Sequence, residues 1–223
     1  RQAPSVHPAD LAEMLDGLET LDEKLLLFDA LADEQASEVI RKAGETTRSS
    51  LLAELADVRI IAVVEGLDTD DAADLLGELP EERRRSLLSM ASPKTRREIA
   101  GLLTYPEDSA GGIMKTEVAS IAEGTSVSTV GAYIRRHADL FHDIHNVFVT
   151  DGRGRLSGFI PLRTLIFADA GSAVETIMET DPVTVRVDVD QEEVAHLFEK
   201  YDLMSIPVVD GLGRLAGRIT VDD

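Results

Sequence analysis

Residues 149–158 read VTDGRGRLSG, and residues 208–217 read VVDGLGRLAG, 59 positions further along the chain. In each stretch an apolar, β-branched run reaches an aspartate, a glycine-containing turn follows, and a second strand-like run begins. This pattern predicts two strands joined by a tight turn, a β-hairpin. Because the hairpin recurs in the same form, we expect the second half of the chain to hold two copies of one fold.

The segments around the two hairpins also match. Helices are predicted upstream of the hairpins at 127–137 and 191–201, and short β-branched strands precede those helices at 118–121 and 183–187. Each copy therefore reads strand, helix, strand, strand, and residues 162–168 add a further helix to the first copy. In the second copy we expect Asp222 and Asp223 to begin the corresponding helix, where carboxylates favour a helix N-terminus.

The first half of the chain follows a different repeat. Amphipathic stretches begin near Pro8, Asp33, Asp57 and Pro80, and a second set begins near Leu21, Thr46, Thr69 and Ser92. The stretches open mostly with N-cap or first-turn residues and continue with apolar residues at helical spacing. A period of about 24 residues predicts paired short helices stacked into a superhelix. The expected fold is therefore multidomain, an α-helical superhelix followed by a tandem α/β module.

The net charge of the chain limits the classes of ligand that it can bind. The 223 residues carry a net charge of −20, with 22 acidic and 12 basic residues in 1–104 and 20 acidic and 10 basic residues in 105–223. Such a surface repels nucleic acids, and it repels itself unless cations intervene. The chain has no cysteine, which excludes disulfides and thiol catalysis. No catalytic motif is recognisable, so we do not expect an enzyme.

Between the two halves lies YPEDSAGGIM, residues 105–114. Pro106 breaks a helix, and Gly111 and Gly112 allow unusual backbone angles, so the stretch predicts a hinge. The expected division is a helical N domain at 1–104, the hinge at 105–112, and the two copies at 113–171 and 172–223.

Several acids are candidates for a metal site. Asp70 and Asp74 are four residues apart on one predicted helical face, where their charges repel. Asp190 and Glu192 begin the helix at 191–201, and Asp202 follows it. Capping alone also explains Asp190, Glu192 and Asp222, and this alternative stays open.

The duplicated half resembles a pair of CBS domains, on the sequences IM at 177–178, IPVVD at 206–210 and GRITVDD at 217–223. The whole chain resembles the cytosolic part of the MgtE family of magnesium channels, on HPAD at 7–10, TDDAAD at 69–74, YPEDSAGG at 105–112 and DQEEVA at 190–195. This resemblance implies Mg²⁺ sensing on the cytoplasmic side of a membrane, with several Mg²⁺ ions per chain bridging the N domain and the CBS domains and favouring a closed pore. The implied ligands are Asp70, Asp74, Asp190, Glu192, Asp202, Asp222 and Asp223. It also implies a homodimer formed through the CBS domains and a transmembrane pore domain after Asp223.

CBS domains that bind adenine nucleotides carry a Gly-x-x-Thr/Ser-x-x-Asp pattern. The second copy keeps it as Gly217, Thr220 and Asp223, which implies ATP as a candidate ligand, although the same residues are also an ordinary helix cap. The first copy has Pro161 and Thr164 at the hydroxyl and carboxylate positions, which argues against nucleotide binding there. The alternatives to magnesium sensing are therefore a nucleotide-sensing CBS module with an incidental acidic surface, and a helical scaffold for protein interactions.

Overall fold

The computed structural model describes residues 6–137 and 144–222. The chain divides into two compact units, Arg1–Ala100 and Gly101–Asp223. Within the described residues, no helix has both the length and the apolar character needed to cross a membrane.

The first unit is helical. Its helices are short, eight to ten residues each, and begin at nearly constant intervals: α1 Pro8–Gly17, α2 Leu21–Asp29, α3 Asp33–Lys42, α4 Glu45–Glu54, α5 Asp57–Val64, α6 Thr69–Gly77, α7 Glu81–Met90 and α8 Pro93–Leu102. Caps fix several of these starts. Thr20, for example, forms a reciprocal capping box with Glu23 at the start of α2.

Packing between alternate helices builds the first unit. Helix α1 packs on α3, α3 on α5, and α5 on α7, while α2 packs on α4. The buried face of each short helix supplies apolar side chains such as Leu15, Phe28, Ile40 and Leu76, all less than 2% exposed. Since a ten-residue helix is marginal alone, this stacking stabilises the repeat. The predicted stack of paired short helices is confirmed.

The second unit holds two sheets of matching topology. In the first sheet β1 (Ser120–Ala122) runs parallel to β2 (Asn146–Thr150), which pairs antiparallel with β3 (Leu156–Pro161), and β3 pairs with β4 (Glu179–Thr180). In the second sheet β5 (Val185–Arg186) runs parallel to β6 (Ser205–Val209), which pairs antiparallel with β7 (Leu215–Thr220). Both predicted hairpins, and the predicted tandem of α/β copies, are confirmed.

Among the residues that the structure describes, three α-helices accompany these sheets: α9 Val127–Arg136, α10 Leu162–Phe167 and α11 Gln191–Tyr201. Helix α9 crosses between the parallel strands β1 and β2, and α11 crosses between β5 and β6. The apolar core of the first copy contains Ile121, Val130, Val147, Val149 and Ile160. In the first copy, apolar side chains of β1, β2 and β3 therefore share one core with Val130 of α9.

The two copies exchange backbone contacts. The amide of Leu156 donates to the carbonyl of Gly213 at 3.1 Å, and the amide of Leu215 donates to Gly154 at 3.1 Å. Asn146 and Ser205, which occupy equivalent positions 59 residues apart, hydrogen-bond through their side chains at 3.1 Å. The copies are thus joined by contacts between equivalent residues.

Candidate metal sites

A cluster of carboxylates forms the N-terminus of α6. Asp68 occupies the N-cap position, and Asp70 and Asp71 lie in the first turn. One oxygen from each side chain lies within 4.8 Å of the other two. The sequence analysis identified Asp70 but missed Asp68 and Asp71, although four aspartates within seven residues at 68–74 were a signal for the whole group.

The chemistry of this α6 cluster, Asp68, Asp70 and Asp71, suits a hard divalent cation. Asp70 is only 8% exposed, and a buried carboxylate beside two others is unfavourable unless positive charge compensates it. Opposite ligands of an octahedral Mg²⁺ ion lie about 4.2 Å apart. The oxygens of the cluster lie within 4.8 Å of one another, so small side-chain rotations or a retained water would complete the coordination. The residues present therefore fit Mg²⁺.

Asp74, the partner expected for Asp70, lies one turn further along α6. The structure leaves Asp74 exposed while Asp70 is buried. Asp74 lines a small pocket of about 80 Å³ together with Asp71, Arg41 and Arg48. Two arginines thus lie near Asp71 and Asp74.

The candidate acids of the second unit lie at opposite ends of α11. Asp190 is the N-cap residue, and its carboxylate accepts a hydrogen bond from the amide of Glu192 at 2.8 Å, so its capping role is present. Asp202 ends the helix in the left-handed conformation, with φ 50° and ψ 49°. Since 11 helical residues span roughly 16 Å, Asp190 and Asp202 cannot bind the same ion.

Asp222 has compensating partners within its own unit, and Asp223 lies outside the described residues. A hydrogen bond from the Thr220 hydroxyl lowers the pKa of Asp222, burial opposes this effect, and the charges of Lys115 and Arg218 reinforce it. The carboxylate is therefore ionised and partly neutralised. Its place in a metal site stays a prediction.

Gly217 and Thr220 of the candidate nucleotide motif have structural roles. A Cβ on Gly217 would lie 2.7 Å from the carbonyl oxygen of Lys115, which pairs with Arg218 beside β7. Gly158, the equivalent residue of the first copy, is approached in the same way by Glu179, at 2.5 Å. Thr220 is 2% exposed and bonds to Asp222. Nucleotide binding at Gly217, Thr220 and Asp223 stays a prediction.

A larger pocket, of about 480 Å³, lies between the two copies. Phe148, Pro161 and Arg163 line it from the first copy, and Val183 and Met204 line it from the second. Its volume falls in the range of small-molecule sites. Pro161 caps α10 without a side-chain hydrogen bond, in keeping with the loss of the hydroxyl noted in the sequence.

The expected hinge residues, 105–112, belong to the second unit and form backbone hydrogen bonds within it. The carbonyl of Asp108 accepts from Gln191 at 2.8 Å, and the amides of Ala110 and Gly111 donate to Val189 at 2.7 Å and Val187 at 2.9 Å. Ser109 donates through its amide and its hydroxyl to the carbonyl of Pro106, at 3.1 and 2.7 Å.

Gly111 and Gly112 were expected to adopt unusual backbone angles, and this explanation of the glycine pair was wrong. Neither Gly111 nor Gly112 has a positive φ. Gly111 is required because a Cβ would lie 2.6 Å from Cγ of Tyr105, and Gly112 because a Cβ would overlap the carbonyl oxygen of Pro106. Close approach, not conformational freedom, selects glycine here. A hinge involving Pro106, Gly111 and Gly112 stays a prediction.

Comparison with known proteins agrees with this architecture. Residues 6–108 match the MgtE intracellular N domain, and residues 110–171 and 174–223 match the CBS domain. The chain is 38% identical over 221 residues to the magnesium transporter MgtE of Thermus thermophilus, covering 98% of this chain and 49% of the relative. It is 30% identical over 223 residues to MgtE of Bacillus subtilis, covering 100% of this chain and 46% of the relative.

A solved structure is similar over almost the whole chain. The cytosolic domain of the Mg²⁺ channel MgtE in complex with ATP superposes with a TM-score of 0.92 and 37% identity, covering 98% of this chain and 89% of that one. The chain spans about half the length of the two curated relatives, both of which are transporters rather than enzymes. With its helical N domain followed by two CBS domains, the chain belongs to the MgtE family.

Proposed function

We propose that this chain is the magnesium-sensing regulatory region of a magnesium channel. Mg²⁺ binds between acidic groups of the N domain and the CBS domains and favours a compact state in which the pore is closed. The observation that carries this proposal is the α6 cluster, three carboxylates gathered at one helix N-terminus with Asp70 buried among them. Because the chain belongs to the MgtE family, we propose Mg²⁺ as the cation that this cluster binds.

The mechanism follows from electrostatics. Both halves carry an excess of about ten negative charges, so without divalent cations they repel each other. Mg²⁺ dehydrates reluctantly and binds carboxylates directly or through retained waters. An ion held by acids from both units turns this repulsion into attraction. Asp70 and Asp74 are the proposed ligands of the N domain, and Asp190, Glu192, Asp202, Asp222 and Asp223 are those of the CBS domains.

The assembly around this region is part of the same proposal. The chain works on the cytoplasmic side of a membrane, attached to the pore domain of its parent protein, and it does not act as an enzyme. It forms a homodimer through its CBS domains, because a regulatory region with two-fold symmetry matches a pore domain with two-fold symmetry. Asp190 and Asp202, at opposite ends of α11, support more than one ion per chain.

Titration calorimetry with MgCl₂ at constant ionic strength tests the proposal. We expect saturable Mg²⁺ binding to the wild-type chain and weaker binding or fewer sites in the variant Asp70→Ala/Asp74→Ala. The variant Glu13→Ala/Asp29→Ala is a matched control, since it removes two exposed acids from α1 and α2 and changes the net charge equally. If both variants lose Mg²⁺ binding to the same extent, the loss is explained by the lower net charge of the chain alone, and the assignment of Asp70 and Asp74 as ligands is refuted.

A second candidate function is nucleotide binding, favoured by the 480 Å³ pocket between the CBS copies. The similar MgtE cytosolic domain was solved with ATP. Arg163 supplies a cation at the pocket wall, although Pro161 and Thr164 replace the polar residues of the nucleotide motif.

Calorimetry with ATP in the absence of Mg²⁺ tests whether this pocket binds a nucleotide. Binding should weaken in Arg163→Ala and persist in Arg186→Ala, whose exposed arginine pairs with Asp188. Absence of binding to the wild-type chain would reject this candidate.

A further inference from the structure

The helical unit contains three equivalent junctions, in which the C-terminal end of one helix meets the N-terminus of the helix three further along. Asp16, Arg41 and Glu65 stand at the ends of α1, α3 and α5, spaced 25 and 24 residues apart. Gly44, Asp68 and Ser92 precede α4, α6 and α8, each 24 residues apart. Each junction therefore occupies the same place in the repeat.

The two outer junctions use a carboxylate as a helix cap. Asp16 accepts a hydrogen bond from the amide of Gly44, with its two oxygens at 3.1 and 3.0 Å. Glu65 accepts from the amide of Ser92 at 2.6 Å and from the hydroxyl of Thr95 at 2.7 Å. Both contacts place negative charge where the N-terminal amides of a helix favour it.

In the middle junction the charges are reversed. Arg41 replaces the capping acid, and the helix N-terminus that it meets carries the α6 cluster. Nε of Arg41 lies 3.6 Å from an oxygen of Asp71. Burial lowers the pKa of Arg41, but the hydrogen bond to Glu38 and the charges of Asp71, Glu38 and Asp68 outweigh this effect, so the pKa is raised. The guanidinium is therefore a permanent positive charge beside the cluster.

Arg41 also has a second partner at the same time, on its own helix. Nη2 of Arg41 lies 3.2 Å from Glu38, three residues earlier in α3. The side chain is 38% exposed and lines the small pocket that also contains Asp71 and Asp74. If the guanidinium moves away from the aspartates, the carboxylate of Glu38 still compensates its positive charge. Another cation can therefore replace Arg41 beside the aspartates without leaving the arginine unpaired.

We propose that Arg41 is a tethered competitor of Mg²⁺ at the α6 cluster. The arginine compensates Asp71 and Asp68 when Mg²⁺ is scarce, and the divalent ion displaces it toward Glu38. Arg41 thereby raises the Mg²⁺ concentration that is needed to fill the α6 cluster. It is a positioning residue, because it changes the affinity of the aspartates for Mg²⁺ without binding the ion itself. The inference rests on the proposed function, since it concerns the same cation and the α6 cluster, of which Asp70 is a member.

The test compares Mg²⁺ titrations of the full 223-residue chain with those of Arg41→Gln, Arg41→Lys and Arg85→Gln. Arg85 is an exposed arginine of α7 paired with Glu81, so Arg85→Gln changes the net charge equally while leaving the cluster intact. We expect Arg41→Gln to bind Mg²⁺ about three- to tenfold more tightly, the size expected when one unit charge is removed near a divalent ion in a partly solvated site. Arg41→Lys should stay near the wild-type affinity. Circular dichroism without Mg²⁺ establishes that each variant is folded.

The outcomes separate the two proposals. Unchanged or weaker binding in Arg41→Gln, or equal tightening in Arg85→Gln, overturns the role of Arg41 while the proposed function stands. If Mg²⁺ binds wild type and Arg41→Gln with the expected difference, but Asp70→Ala/Asp74→Ala binds normally, the assigned ligands of the proposed function are wrong. A gain in affinity cannot come from general loss of structure, which would weaken the site. Absence of binding in all variants refutes both proposals.

Discussion

Arg59 and Arg83 stand 24 residues apart and make the same contacts in successive repeats. Arg83 donates to the carbonyls of Leu52 at 2.5 Å and Leu55 at 2.8 Å, and Arg59 donates to Phe28 at 3.2 Å and Leu31 at 2.7 Å. Each arginine satisfies carbonyls at the C-terminal end of an earlier helix and pairs with the aspartate that begins another, Asp57 or Asp33. In the sequence Arg83 is one of three consecutive arginines, and nothing distinguishes it from Arg85.

Replacing Arg83 with alanine should therefore destabilise the helical unit. Several carbonyls at the end of α4 would lose their donors, and we expect a loss of about 1–3 kcal/mol in the free energy of unfolding. Arg85→Ala should change it by less than about 0.5 kcal/mol, because Arg85 forms only an exposed pair with Glu81. Urea denaturation followed by circular dichroism measures both. Equal effects would show that the contacts of Arg83 contribute no more than surface charge.

Gly112 offers a second prediction at the level of a single residue. An alanine Cβ would meet the backbone of Pro106 and Glu107, which cannot rotate away as a side chain can. Gly112→Ala should lower the free energy of unfolding of the second unit by about 1–3 kcal/mol. Gly101→Ala is the control, because nothing lies within 4 Å of its Cβ position and alanine favours a helix. A neutral Gly112→Ala substitution would contradict the close packing of this segment.

At the scale of the elements, Glu65 links α5 to α8. Burial, the largest influence, raises the pKa of Glu65, but the hydrogen bonds from Thr95 and Ser92 and the charge of Lys94 together lower it below the usual value. A carboxyl group with a lowered pKa in the folded state stabilises the protein above its unfolded pKa. This contribution disappears as the pH falls through the folded pKa.

Glu65→Gln should therefore be less stable than wild type at neutral pH, by an amount typical of a weakened helix cap, about 0.5–2 kcal/mol. The difference should shrink as the pH falls below the ordinary range of a glutamate, since wild type then loses its charge. Thermal unfolding at a series of pH values measures this trend. A difference between the two proteins that stays constant from neutral to acidic pH would exclude the ionised carboxylate as the cause.

The elements themselves were largely predictable from the sequence. Helix starts expected at Pro8, Asp33 and Asp57 coincide with those observed, and the starts expected at Thr46 and Pro80 differ by one residue. Local signals suffice here because caps and apolar spacing act within one turn. The contact between Arg41 and Asp71 was not predictable, because α3 and α6 come together only through the stacking of the repeat.

The same limit applies to the candidate metal site. Asp70 and Asp74 share a helical face in the sequence, whereas the carboxylates that the structure gathers within 4.8 Å of one another are Asp68, Asp70 and Asp71, where the chain turns into α6. Helical periodicity describes residues within a helix and does not describe the N-cap. The glycines at 111 and 112 show a similar limit, since close contacts with Tyr105 and Pro106 cannot be inferred from composition.

For the molecule as a whole, we propose that Mg²⁺ controls the separation of its two acidic units. Small-angle X-ray scattering of the 223-residue chain, with and without Mg²⁺ at matched ionic strength, tests it most directly. We predict that the radius of gyration falls on adding Mg²⁺, and that this decrease is reduced in Asp70→Ala/Asp74→Ala but retained in Glu13→Ala/Asp29→Ala. A radius of gyration that does not change on adding Mg²⁺ to the wild-type chain would contradict the account.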